Sequence, residues 1–301
     1  MSKKRYQGYR LKERFLRALY KICLPKSIRH FVRAFPYLKI DEQSRRVTWK
    51  GQVIGQLQMW SQFPSVGTRL IIVGSGPSVT EHLEQLTTLD RQGEPIVLLN
   101  GAASLYEQRV IRSPLAVIVE DARFILEKPE IILGLPVESR LVLSTAAFHA
   151  LCYVDSTCLQ KFRIWHMNSV LMPLGKPKPK LADGDFGDFI KAGSVGLSRN
   201  LEVGHFGCGT VMYAGIQLGF HLKVAELYLV GFDMTNFEQP RFYETQQNRA
   251  WTGLQNSFSN RLLPSLELVR LQAIQQGMEV INCSAVSVIP ESLIKKGELP
   301  V

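Results

Sequence analysis

The chain lacks the uninterrupted apolar run of ~18 residues that a membrane-spanning helix needs. Its longest candidate, residues 211–232, is broken by Gln217, His221, Lys223 and Glu226. No apolar stretch with a small-residue cleavage site follows the basic N-terminus, so no secretory leader is expected. The five cysteines, Cys23, Cys152, Cys158, Cys208 and Cys283, are odd in number and have no Cys-x-x-Cys spacing. That pattern argues against a disulfide framework and a zinc site, and for a reducing compartment. The cysteines read instead as buried small hydrophobes, and the expected setting is the cytoplasm.

What is present is apolar material for a sizeable core, 46% of 301 residues. The net charge of +10 is unevenly spread: residues 1–50 carry 15 Lys and Arg against Glu13, Asp41 and Glu42, whereas residues 51–301 carry 21 against 23 acids. The whole basic excess sits in the first sixth of the chain. There Leu11, Phe15, Leu19 and Ile22 recur at helical spacing, with Arg10, Lys12, Arg14, Arg17 and Lys21 on the other face. Leu24-Pro25 ends that helix, and a second short apolar-basic segment follows through Ile28, Phe31, Val32 and Phe35. Such a segment suits an anionic membrane surface, where each cation contributes ~1 kcal/mol. It also suits packing on the protein's own body. Nucleic acid is disfavoured as a partner, because no known binding motif accompanies the charge.

Residues 46–60 alternate around Lys50-Gly51 and predict a β-hairpin. Pro64 and Gly67 mark the passage to the main domain. The expected organisation is a basic amphipathic membrane-surface segment over 1–45, a hairpin and linker over 46–66, and an α/β catalytic domain over 67–301. In that domain short β-branched runs at 70–73, 96–99, 115–119, 141–143, 162–165, 227–230 and 279–281 alternate with helical stretches near 80–86, 210–220 and 262–276. This predicts a Rossmann-like, mostly parallel sheet with helices on both faces. Ligands in such folds sit outside the carboxyl ends of the strands, so residues that directly follow strands are the candidates.

The first of these is Gly74-Ser75-Gly76-Pro77-Ser78. Its glycines allow close approach to a phosphate, Pro77 presets a helical turn, and the serines offer hydroxyls. It lacks the lysine of a P-loop and the third glycine of the dinucleotide fingerprint, which disfavours both chemistries. Asn100-Gly101 ends the second strand, and its amide suits a ribose or a base edge; it also reads as a plain turn. Glu120-Asp121 ends the third, as a base, a ribose grip or a helix cap. Thr210 opens a helix after Gly207-Cys208-Gly209, with His205 upstream as a candidate acid or base. Asp233 ends the strand Glu226–Val230, and the polar, aromatic segment 236–260 reads as a lid containing Arg241 and Tyr243. Within 174–199, Asp183-Gly184-Asp185 has the Asp-x-Asp form of a metal-binding pair, but with no clear strand before it reads rather as a polar, glycine-rich loop; Lys176, Lys178 and Lys180 suit an anionic acceptor.

In this order, strand-GSGPS, an Asn-ending second strand, a Gly/Thr-led helix, ELYLVGFD and MEVINCSAVS, the chain resembles the bacterial CMP-sugar transferases of the Campylobacter sialyltransferase type over about residues 69–290. The resemblance implies that Gly74, Gly76, Pro77, Ser78 and Asn100 hold the CMP part of a donor, that Thr210 contacts the donor and that Asp233 flanks the site; Ser75 and Gly101 join these candidates from their own turns. The resemblance also implies that Tyr243 faces the leaving phosphate. The family's base histidine lies in the lid, yet no His follows Phe232, so Asp121, Glu120 and His205 are the candidate bases. The basic N-terminus is foreign to that family and is more similar to a lipopolysaccharide-core Kdo transferase. That implies a CMP-sugar co-substrate without a metal or other cofactor. It further implies an anionic lipid-linked saccharide acceptor, and a peripheral place on the cytoplasmic face of the inner membrane. A pterin pyrophosphokinase-like or flagellin-modification protein of related fold, and a non-enzymatic nucleic-acid-binding module, are the rival readings.

Overall fold

A computed structural model describes residues 24–32, 34–235, 241–244 and 257–301. The expected helix over 6–23 and most of the lid lie outside the described residues. The chain divides into two compact units, a smaller one of Met1–Phe63, Val119–Leu181 and Glu202–Gly204, and a larger one of Pro64–Ile118, Ala182–Leu201 and His205–Val301.

Residues 38–56 form an antiparallel sheet of β1 (Leu38–Ile40), β2 (Arg46–Trp49) and β3 (Gln52–Gln56). The predicted hairpin is β2–β3; Lys50 and Gly51 both take positive φ, 50° and 85°, as a primed two-residue turn requires. β1 adds a third strand that the alternation did not reveal.

The seven predicted runs all form strands of one parallel sheet: β4 (Arg69–Val73), β5 (Ile96–Leu99), β6 (Ala116–Val119), β7 (Arg140–Ser144) and β8 (Arg163–Met167), and later β12 and β13. Between them come β9 (Gly184–Asp185), β10 (Phe189–Ala192) and β11 (Val195–Ser198), which pair antiparallel as a separate ribbon. Residues 183–199, expected as loop, are therefore mostly sheet. The strands are too short and too polar on one edge to show a clear period. β12 (Glu226–Val230), β13 (Glu279–Asn282) and the unforeseen two-residue β14 (Lys295–Lys296) complete the order β14-β13-β12-β4-β5-β6-β7-β8.

Every residue of β5 and β6 is buried, as strands covered on both faces must be. From β4 the chain builds the sheet outward to β8, then returns to lay β12 on the other side of β4. The order reverses between β4 and β12, and this switch point is where an open α/β sheet places its ligand crevice. Both strands belong to the larger unit.

The helices that matter are α1 (Leu83–Arg91), α2 (Ala122–Glu127), α3 (Thr145–Val154), α4 (Met212–Leu222) and α5 (Leu263–Gln276). The glycine turn enters α1 through a 3₁₀ segment, Pro77–His82, rather than directly. In α4 all residues from Met212 to Phe220 are buried. Gly215 lets this helix press on β4, since a Cβ there would lie 2.7 Å from Ile72 Cγ2.

In the smaller unit, Ser144 caps α3 by accepting from Ala147 N–H at 3.1 Å, and its hydroxyl donates to Glu120 O at 2.8 Å. His149 of α3 is buried against the rings of Trp49 and Phe35, with centroids 5.0 and 5.4 Å away. Burial pulls its pKa from 6.5 down to about 4, because a buried imidazolium loses its hydration. Among the described residues no helix is long and apolar enough to cross a membrane. The four described cysteines are buried and form no disulfide among the described residues.

Candidate nucleotide site at the switch point

The turn after β4 and the turn after β12 are built as one piece. Val73 and Val230 are direct partners in the sheet, so Gly74 and Gly231 leave it side by side. Gly74 N–H donates to Val230 O at 2.8 Å and Gly76 N–H to Gly231 O at 3.2 Å. The chain then brings Asp233 under the turn. Its Oδ2 accepts from Ser78 N–H at 3.0 Å and its Oδ1 accepts from the Ser78 hydroxyl. Asp233 and Ser78 are each 3% exposed. The contact leaves no room for a side chain at residue 76, where a Cβ would lie 2.5 Å from Asp233 Oδ2 and 2.6 Å from Gly231 O.

The glycine turn therefore donates much of its hydrogen-bonding capacity inward. Gly74, Gly76 and Ser78 all spend their N–H groups on the β12 side. The carboxylate takes the place at the start of the 3₁₀ turn that an anion would otherwise favour. Behind Asp233, its own carbonyl accepts from Val288 N–H at 3.1 Å. Phe232 O accepts from Asn282 Nδ2 at 3.2 Å and from Ser287 Oγ at 2.8 Å. The segment after β13 thus props the β12 turn.

The second strand end adjoins this piece. Ser75 Oγ donates to Leu99 O, the last residue of β5, at 3.3 Å. Asn100 follows at φ 46°, a left-handed conformation that asparagine tolerates better than most residues. Gly101 comes next, and the ring of Tyr243 lies directly against it, occupying the space a Cβ would need. Tyr243 Oη accepts from Arg241 Nη1 at 3.4 Å, and the same nitrogen reaches Glu244 Oε1 at 3.1 Å. The Glu244 side chain is only 2% exposed. Burial opposes the Arg241 charge, but the Tyr243 phenol and Glu244 carboxylate outweigh it and raise its pKa.

Thr210 stands before α4, its Oγ1 accepting from Met212 N–H at 3.3 Å. Met212 Cε would lie 2.8 Å from a Cβ on Gly74, which places the start of α4 beside the turn. His205 is 5% exposed, next to Phe206, whose N–H and carbonyl are both held by Gln217. The larger unit thus brings together Gly74–Ser78, Asn100, Gly101, Thr210, Asp233 and Tyr243.

Asp121 belongs to the smaller unit and caps α2, its Oδ1 accepting from Arg123 N–H at 2.9 Å. Asp183 and Asp185 lie on the exposed ribbon. Asp183 pairs with Lys191 Nζ at 2.6 Å; Asp185 pairs with Arg199 and accepts from Gly187 N–H at 2.9 Å. Hydrogen bonds from these cations hold both carboxyls below the usual range. A cleft of about 740 Å³ beside them, lined by Asp188, Arg199, His221 and Lys223 among others, opens where α4 runs into the start of β12. That is the opposite end of the strands from the glycine turn.

No family model and no curated protein matches the chain. Among solved structures, a MAf glycosyltransferase from Magnetospirillum magneticum AMB-1 is similar, with 15% identity and a TM-score of 0.45. The similarity covers 91% of this chain, which spans 37% of that protein's length.

Three features of the site escaped the sequence reading. The Ser78–Asp233 contact joins residues 155 positions apart. Gly231, at φ 70° and with Val79 Cγ2 2.5 Å from its would-be Cβ, could have been suspected from a glycine closing an apolar strand. Arg241 stood out only as one of several lid residues.

Proposed function

We propose that the chain is a glycosyltransferase that takes an acidic sugar, Kdo before sialic acid, from a CMP-linked donor. In this reading the transfer is inverting and the acceptor is an anionic, lipid-linked core saccharide. The observation that carries the nucleotide part is the convergence of three strand ends, Gly74–Ser78 after β4, Asn100-Gly101 after β5 and Gly231–Asp233 after β12, at the switch point. The amide of Asn100 suits the nucleoside and Thr210 carries a hydroxyl toward it, while the Ser75 hydroxyl ties the turn to Leu99 O. Asp233 fixes the turn's shape through Ser78.

The CMP specificity and the sugar rest on the resemblance in the order of the motifs. In the proposed reaction an acceptor hydroxyl attacks the anomeric carbon as CMP departs, and Tyr243 meets charge developing on the phosphate. His205, Asp121 or Glu120 takes the hydroxyl proton. The basic first 50 residues would hold the enzyme at an anionic membrane surface where a lipid-linked acceptor lies.

A thermal-shift comparison of CMP, UDP, GDP and ATP with and without magnesium tests the reading. CMP at 100 times its Kd should stabilise the fold by about 2.7 kcal/mol. Calorimetry on Asn100→Gly, which keeps the left-handed turn but removes the amide, should show weakened CMP binding. Stabilisation by ATP with magnesium but not by CMP would move the chain to the pyrophosphokinase-like class. Indifference to every nucleotide would defeat the proposal.

A further inference from the structure

A nucleotide phosphate at the switch point faces an electrostatic difficulty that the sequence does not disclose. Of the four N–H groups that the turn carries, those of Gly74, Gly76 and Ser78 are spent on Val230, Gly231 and Asp233. The carboxylate of Asp233 itself lies beneath the turn, so the local field disfavours a second anion. A cation at the same strand ends would offset that field. Arg241 is tied to the same strand ends: it bonds Tyr243 Oη, and the Tyr243 ring rests on Gly101.

Arg241 also carries unspent capacity. Both of its bonds, to Tyr243 and to Glu244, are made by Nη1, so Nη2 and Nε have no partner among the described residues. Its side chain is 30% exposed whereas that of Glu244 is 2% exposed. The guanidinium is thus anchored through Nη1 by a buried carboxylate and a phenol, and among the described residues no partner takes its other edge. That is the arrangement in which a planar fork receives a phosphate through two parallel N–H bonds. Glu244 fixes the orientation, and Tyr243 ties the fork to the end of β5.

We propose that Arg241 is the phosphate-binding cation of the nucleotide site, with Glu244 as its positioning residue. The inference rests on the nucleotide reading above and adds to it the group that discriminates a nucleotide from its nucleoside. Arg241 should bind the phosphate both before and after sugar transfer, so free CMP is a sufficient probe.

The test is calorimetric titration of the full chain with CMP and with cytidine. The wild-type protein should prefer CMP over cytidine by roughly 10- to 50-fold, the scale of a bidentate charge-assisted contact. In Arg241→Gln that preference should collapse to within about 2-fold while cytidine affinity holds, and Arg241→Lys should retain part of it, because a point charge replaces a fork. Arg241→Gln leaves Glu244 buried beside a neutral partner, so the double variant Arg241→Gln/Glu244→Gln is measured beside it, with its melting midpoint, and should show the same loss. A wild-type preference that survives in a folded double variant overturns the role of Arg241 and leaves the nucleotide reading standing. A wild-type protein that binds neither CMP nor cytidine overturns both.

Discussion

Asp233 and Asp185 both end short motifs in the larger unit that invite a chemical reading, and the fold treats them in opposite ways. Asp233 is 3% exposed and takes its hydrogen bonds from a backbone N–H and a hydroxyl, with no cation paired to it among the described residues. The Asp185 side chain is 49% exposed and pairs with Arg199 on an antiparallel ribbon. The difference shows that a carboxylate's role follows from what satisfies it. Asp233 sits where two turns must be locked together at the switch point. Asp185 sits where solvent already screens its partner, and its contribution is correspondingly small.

Removing each carboxylate in turn separates the two. Asp233→Ala strands two buried donors of Ser78, at about 2 kcal/mol each, and should lower the urea-unfolding free energy by about 4 kcal/mol. Asp185→Ala should cost less than about 1 kcal/mol. Equal losses would refute the distinction. The next largest effect comes from a buried group that lacks a charged state in the fold. His149 titrates at about 4 when folded and at 6.5 when unfolded, so the unfolded chain takes up the proton first. Its contribution is therefore intact above pH 6.5, is lost progressively as pH falls from 6.5 to about 4, and totals about 3 kcal/mol. His149→Phe should flatten that part of the stability–pH profile.

Gly76→Ala tests whether the Asp233 contact is as close as it looks. The new Cβ must displace a carboxylate oxygen and a carbonyl, and overpacking of this kind costs about 2 kcal/mol. A neutral outcome in denaturant titration would mean that the turn is loosely held. A smaller effect than that of Gly76→Ala should come from Asp121→Ala, which removes the cap of α2. It should lower stability by about 1 kcal/mol. A loss of the proposed transfer activity far beyond that of an equally destabilised control would instead mark Asp121 as the base.

Much of the sheet was readable from local composition. Runs such as Leu70–Val73 and Ile96–Leu99 are buried on both faces, so they are apolar at every position and stand out without any period. Lys50-Gly51 announced its turn because few residue pairs accept two positive φ values. Harder to see was α3, whose sequence TAAFHALCYV is apolar on nearly every face and shows no amphipathic stripe. The ribbon β9–β11 was hidden for the opposite reason, since glycine and aspartate are poor strand formers and pairing between neighbours supplies what propensity does not. Asn100 was visible as a candidate, but its left-handed backbone was not.

The parallel α/β class, the strand ends on which a ligand site could be built and the concentration of positive charge in the first 50 residues are all written in the amino-acid sequence. These follow from local side-chain chemistry, which needs no knowledge of partners. Only the tertiary structure decided that β12 returns to the side of β4, that Asp233 fills the glycine turn, and that Tyr243 brings Arg241 to the end of β5. Those outcomes depend on which distant segments meet, and the burial of Ser78 and Glu244 makes each such meeting costly to undo.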